Sequence, residues 1–205
     1  MARKTKDEAL ATRSSILDAA EQLFELQGVS RTSLQDIASA AGVTRGAIYW
    51  HFENKSDVVN AMLDRVCLPM EEAQAALEPG NGSPVIPALR AQLQGVLTRV
   101  TCDAQARRVF DIATHKVEYI DEMCAVRARH LQIRREYLVV LERTLRRGQR
   151  RGELAASPPA RQAAIGLQAL LSGLIHNWML DPALFDLRTV GRRAIEAYLA
   201  GLVRR

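Results

Sequence analysis

Tyr49, Trp50, His51 and Phe52 are four ring-bearing side chains in a row, in a chain with only 5% aromatic residues. A helix turns about 100° per residue, so four neighbours point in four directions and no single core can bury them all. The O–H and N–H groups of Tyr49, Trp50 and His51 can reach phosphates while their rings cover sugar and backbone. Arg45, one turn earlier, carries the planar fork that pairs with O6 and N7 of guanine. Gly46 beside it has no side chain and permits close backbone approach. Thr44 and the open amides of a helix start favour an anion. Lys55 offers a further phosphate contact from downstream, and Thr32 another from upstream. Together these residue types suit binding to a DNA duplex.

The elements that must position them follow from periodicity and breakers. Ile16, Leu17, Ala20, Leu23 and Phe24 form a helical stripe that Gly28 closes as a C-terminal cap. Thr32-Ser33-Leu34-Gln35 matches a T-x-x-Q capping box, with Leu34, Ile37, Ala38 and Ala41 as the stripe that follows. Thr44 caps a very short third helix through about His51. Ala41-Gly42-Val43 is the tight turn between the two. Ile48 and Phe52 share an edge with Val43 and pack inward; Arg45 with Tyr49, and Gly46 with Trp50, form rows left for a partner. This is a helix-turn-helix over about residues 33–52, whose second helix fits a major groove about 12 Å wide. Asn54 caps a fourth helix with Val58, Val59, Met62, Leu63 and Val66 inside, which Pro69 ends or bends.

Beyond the loop EPGNGSP at 78–84, helical runs are expected near 86–101, 104–116, 121–151, 159–180 and 187–203, with Ser157-Pro158 and Asp181-Pro182 bounding one of them. No stretch alternates like a strand. The fold class is all-α with about nine helices, divided into residues 1–54 and 55–205.

The net charge is +5 and the isoelectric point about 9.4, which suggests an acidic partner. The charge sits elsewhere than the motif: residues 1–60 hold seven Lys/Arg against eight Asp/Glu, and residues 127–151 nine Arg against two Glu. That Arg-rich run, threaded with Leu131, Leu138, Leu141 and Leu145, reads as the solvated face of a long helix or as a second anionic contact. Cys67, Cys102 and Cys124 are odd in number and widely spaced, which argues against disulfides and zinc. His115 and Glu118 are too few ligands for a metal. No cofactor is expected. The opening MARKTK has no apolar segment after it, and the apolar stretch 167–180 is too short to span a bilayer, so a cytoplasmic protein without membrane attachment is expected.

Residues 10–58, with GVSRTSLQDIASAAGVTRGAIYWHFENKSDV at their centre, resemble the N-terminal domain of the TetR family of bacterial repressors. The opening MARKTK, HKVEY at 115–119 and SGLIHNWMLDPALFDL at 172–187 resemble the AcrR-like branch, whose members repress multidrug efflux genes. The resemblance implies DNA contacts at Thr44, Arg45, Gly46, Tyr49, His51 and Lys55, and dimerisation through the last two helices. Gly166, Ala169, Gly173, Ala194, Ala197 and Gly201 are small residues that suit such a contact or ordinary packing within the chain. It also implies an effector pocket walled by Val66, Cys67, Met70, Leu93, Val96, Phe110, Thr114, Tyr137, Leu171, Ser172 and His176, which suits a bulky hydrophobic compound. The expected function is an operator-binding homodimer, on an inverted repeat, released by such an effector. Two rivals stand beside it: a DNA-binding redox sensor using Cys67, and an all-α enzyme using His115, His176 or a thiol. The enzyme lacks any nucleophile–base–orienter set.

Overall fold

The computed structural model describes residues 2–76, 84–117 and 123–203. Within them lie nine α-helices: α1 (Ala2–Gln27), α2 (Leu34–Ala40), α3 (Arg45–His51), α4 (Lys55–Ala76), α5 (Val85–Cys102), α6 (Ala104–Asp111), α7 (Cys124–Arg150), α8 (Ala160–Leu180) and α9 (Leu187–Leu202). A π-helical turn, Ile112–Lys116, continues α6. Among the described residues there is no strand, only one isolated antiparallel bridge between Leu154 and Val203. The all-α expectation holds.

The chain divides into two compact units, residues 1–68 with 108–130 and residues 69–107 with 131–205. The sequence places the join after Asn54; the contacts place it inside α4. The reason is that the start of α4 belongs to the first core: Val58, Val59 and Met62 are fully buried. Arg65 on α4 reaches back to α1, 2.6 Å from Asp18 and 3.4 Å from the buried Glu21. Arg129 at the start of α7 pairs with Asp64 at 2.7 Å, and Arg108 with Glu25 at 2.7 Å. The backbone N–H of Val29 donates to the Lys116 carbonyl. Segments far apart in sequence thus complete the first unit.

Pro69 does not end α4, which runs on to Ala76. An interior proline removes one backbone hydrogen bond, and the remaining turns carry the helix past it.

In the second unit α9 packs against both α5 and α8. Two glycines allow that approach. A Cβ on Gly191 would come within 2.5 Å of Leu97, and one on Gly166 within 2.3 Å of the Tyr198 hydroxyl. Gly166 is therefore an intrachain packing position, and Tyr198 donates to the Ala163 carbonyl beside it. Leu141 and Leu145 are buried while Arg127, Arg134, Arg135, Arg143, Arg146 and Arg150 are exposed, so the Arg-rich run is the wet face of α7. α8 starts at Ala160, two residues past Ser157-Pro158, whose peptide bond is cis, and stops before Asp181 as expected. Its 21 residues are, by length and composition, enough to cross a bilayer, where the apolar stretch alone looked too short.

Candidate nucleic-acid interface

Backbone chemistry fixes α2 and α3 before any packing is considered. Ser33 caps α2: its hydroxyl accepts from the Asp36 N–H at 3.1 Å, and the Asp36 carboxylate accepts from the Ser33 N–H at 2.9 Å. The Ser33 hydroxyl also donates to the Asp36 carboxylate at 2.7 Å, and that bond first, then the one from the Ser33 N–H, holds the Asp36 carboxyl below its ordinary range. The capping box is thus S-x-x-D, one residue later than the T-x-x-Q reading. At the other end the Gly42 N–H donates to Ser39 and the Val43 N–H to Ala38. This is a Schellman turn, and Gly42 supplies the φ of +67° it needs. Thr44 then caps α3, its hydroxyl accepting from the Ala47 N–H at 3.2 Å.

That geometry separates the four rings. Ile48 and Phe52 are buried, at 0% and 3% exposure, and anchor α3. Tyr49 is 47% exposed and Trp50 73%. Burying a Trp normally stabilises by its large apolar area, so leaving one in water has a cost that the fold of this chain does not recover. The Arg45 guanidinium lies over the Tyr49 ring, 5.6 Å from its centre, and Trp50 meets His51 edge to face at 4.5 Å. Arg45, Gly46, Tyr49 and Trp50 share one open side of a short, doubly anchored helix. A Cβ on Gly46 would meet nothing closer than 3.9 Å, so the fold itself does not demand glycine there.

The other expected contacts divide. Lys55 is half-buried and directs its ammonium to the Ser30 carbonyl at 3.4 Å, beside the start of α2. Thr32 is 1% exposed and does not reach the surface. Its hydroxyl donates to the Gly28 carbonyl at 2.8 Å and accepts from Gln27, closing the end of α1. The phosphate contact expected of Thr32 is withdrawn on that ground. Sequence reasoning missed Arg13, whose guanidinium stacks 5.1 Å above the Phe52 ring. Burial, then the Arg13 charge, lowers the pKa of His51. No local pattern points to Arg13, because α1 and α3 meet only in the fold.

The residues assigned to an effector fall in both units. In the first, Val66 is buried, Cys67 and Phe110 are half-buried and Thr114 is exposed. In the second, Leu93, Val96 and Leu171 are buried and Tyr137 is half-buried, while Ser172 and His176 are exposed. The side chain of Met70 and the whole of Glu118 lie outside the described residues. Ser172 and His176 fall on the stripe Ile165, Ala169, Ser172, His176, Leu180, opposite Leu171. They sit on the exposed face of α8. A recess of about 560 Å³ along the Arg side of α7 and another of about 310 Å³ between α5 and α9 contain none of the expected residues.

A capped helix–turn–helix presenting an Arg, a Gly and exposed rings on its second helix defines a DNA-binding protein of the helix-turn-helix class. Residues 16–62 match the bacterial regulatory proteins of the tetR family, and residues 84–203 match the C-terminal region of MAATS-type transcriptional repressors. The chain belongs to the tetR family of bacterial transcriptional regulators. It is 40% identical over 191 residues to the regulator TtgR of Pseudomonas putida, covering 91% of this chain and 89% of that one. It is 39% identical to AcrR of Shigella flexneri over 192 residues, 94% of this chain and 89% of that one. Among solved structures, NalD, the secondary repressor of the MexAB-OprM multidrug efflux pump in Pseudomonas aeruginosa, superposes with a TM-score of 0.87 at 35% identity, covering 97% and 98% of the two chains. The SmeT–triclosan complex superposes with a TM-score of 0.86 at 34% identity, covering 95% and 92%.

Proposed function

We propose that this chain is a cytoplasmic, homodimeric repressor of a multidrug efflux operon, seated on an inverted-repeat operator and released by a bulky hydrophobic effector. The observation that carries it is the open side of α3, where Arg45, Gly46, Tyr49 and Trp50 stand on a helix that its caps and Ile48 hold in place. One such helix makes too few contacts for specific binding, so a two-fold partner is required.

The outer face of α8 and α9 supports that partner. Ile165 is 47% exposed, Leu180 63% and Val190 39%. A Cβ on Gly173 or Gly201 would meet nothing within 4 Å, so the smallness of these positions serves nothing inside this chain. Small and apolar residues on one face let two copies approach closely, as an isologous contact needs. Release then requires an effector that prefers the conformation unable to bind DNA. A hundredfold loss of affinity needs about 2.7 kcal/mol of coupling, which one apolar molecule can supply. The efflux operon and the hydrophobic effector are suggested by what NalD and SmeT are described as controlling and binding.

Selection from a random duplex library with the full chain tests this directly. An enriched inverted repeat, bound by a species that sediments as a dimer at micromolar concentration, is expected. Enrichment of a single half-site by a monomer would overturn the dimeric reading, and no enrichment would overturn the operator itself.

A further inference from the structure

Among the described residues, four arginines of the first unit are half-buried: Arg13, Arg65, Arg108 and Arg129. Three of them face a carboxylate. Arg65 meets Asp18 and Glu21, Arg108 meets Glu25, and Arg129 meets Asp64. Arg13 is the exception. Its guanidinium lies 5.1 Å from the centre of the Phe52 ring and makes neither an ion pair nor a hydrogen bond among the described residues. A guanidinium keeps its charge and offers five N–H donors, and such groups are normally paired where they are partly buried. The ring face offsets part of that cost and satisfies none of the donors.

The surroundings show what is missing. Phe52 is the C-cap of α3 and is 3% exposed, so the guanidinium is held against the end of the reading helix. His51 stands beside it, 6.2 Å from the Phe52 ring and edge to face with the exposed Trp50. Burial and then the Arg13 charge make His51 harder to protonate, so the two side chains are close enough to repel. Neither is paired with a carboxylate among the described residues. One end of α3 therefore carries Thr44 and open amides, and the other carries Arg13 and His51. The seven residues between span about 10 Å, in a groove about 12 Å wide, so both ends can reach the backbone of a duplex.

We propose that Arg13 binds a backbone phosphate of the operator from α1, beside His51, and clamps the C-terminal end of α3 against the duplex. This rests on the DNA-binding reading of α3 and adds a contact from outside the helix-turn-helix. A phosphate accepts two parallel N–H bonds from a guanidinium fork, and stacking on Phe52 fixes the plane of that fork in advance. A contact of this kind positions the helix and carries no sequence information.

Operator affinity as a function of salt is the test, measured on the selected duplex for the full chain and three variants. Arg13→Met keeps an unbranched stem on Phe52 and removes the charge; Arg13→Gln removes the charge and stays polar; Arg13→Lys keeps the charge. In both neutral variants the slope of log affinity against log salt should become shallower by about 1 per half-site, since each neutralised phosphate contributes about 0.9. Preferences at single base pairs should stay as in wild type. Arg13→Lys should keep the wild-type slope. A wild-type slope in the neutral variants, whatever their melting temperatures, would leave Arg13 as packing for Phe52 and overturn the proposal. A changed base preference would overturn it too, by moving Arg13 to a base edge. Failure of wild type to select any duplex would instead overturn the operator reading, and the clamp with it.

Discussion

Helix α3 and helix α8 both leave apolar surface in water, and they reach that condition by different routes. In α3 the exposed groups are aromatic and sit beside an Arg and a Gly, on seven residues fixed by a Thr cap, a Schellman turn and the buried Ile48. In α8 they are aliphatic or small, spread over five turns, and opposite a stripe that α9 and α5 cover. The first surface offers hydrogen-bond donors and suits a charged polymer. The second sets only Ser172 and His176 among aliphatic and small residues, and suits the second copy proposed above. Exposure alone therefore says little; the polar groups set among the exposed carbons tell the two partners apart.

The contrast also explains what could be read in advance. Caps, turn glycine and inward residues of α2 to α4 lie within a few positions of one another, and local chemistry suffices to place them. Gly42, Thr44, Asn54, Ile48 and Phe52 all do what their spacing suggests, with Asn54 accepting from the Asp57 N–H. Thr32 and Ser33 are the instructive miss. Both match a capping residue, and the choice between them depends on the Gly28 carbonyl, which draws Thr32 inward. Arg13 over Phe52 is unreadable for a stronger version of the same reason: it arises where helices distant in sequence meet.

The largest effect is expected where a long-range contact holds the locally coded motif in place. Arg65→Met leaves Glu21, at 1% exposure, without the guanidinium that faces it. Breaking a pair with a buried member costs about 3 kcal/mol, and chemical denaturation should show the loss. Arg90→Ala is the control in the second unit, because Arg90 and Glu196 are each 39% exposed and should matter little. Equal losses in the two variants would erase the distinction between a pair with a buried member and one that is exposed on both sides.

Next comes Arg45→Ala, which removes the exposed guanidinium proposed to read the groove. Operator affinity should fall by about 1–3 kcal/mol per half-site, with relaxed preference at one base pair, as read by binding to the selected duplex and its single-base variants. Ile165→Glu on α8 should instead leave the half-site preference intact and shift sedimentation toward monomer. If Arg45→Ala bound like wild type, the open side of α3 would not be the reading surface.

A smaller effect separates the two capping candidates. Ser33→Ala should cost about 1 kcal/mol of stability, whereas Gln35→Ala should cost almost nothing. A reversal would restore the Thr32–Gln35 box and return Thr32 to the surface.

The smallest expected effect is electrostatic and belongs to His51. Burial and then the Arg13 charge depress its pKa in the free protein, so the imidazole resists protonation. For folding, a depressed histidine contributes stability that is present above the unfolded value near 6.5 and is lost as pH falls through the folded one. For DNA binding the sign is opposite. A phosphate beside the ring favours imidazolium, so the complex binds more protons than the free chain, and affinity must rise as pH falls. Measured at constant ionic strength from about pH 8 to about pH 6, operator affinity should therefore increase by several-fold, below the tenfold that one pKa unit per site would give. His51→Gln, which keeps a donor but cannot titrate, should flatten the profile while leaving the affinity near pH 8 almost unchanged. A profile that stays steep in His51→Gln would move the titrating group elsewhere and leave His51 as packing for Trp50.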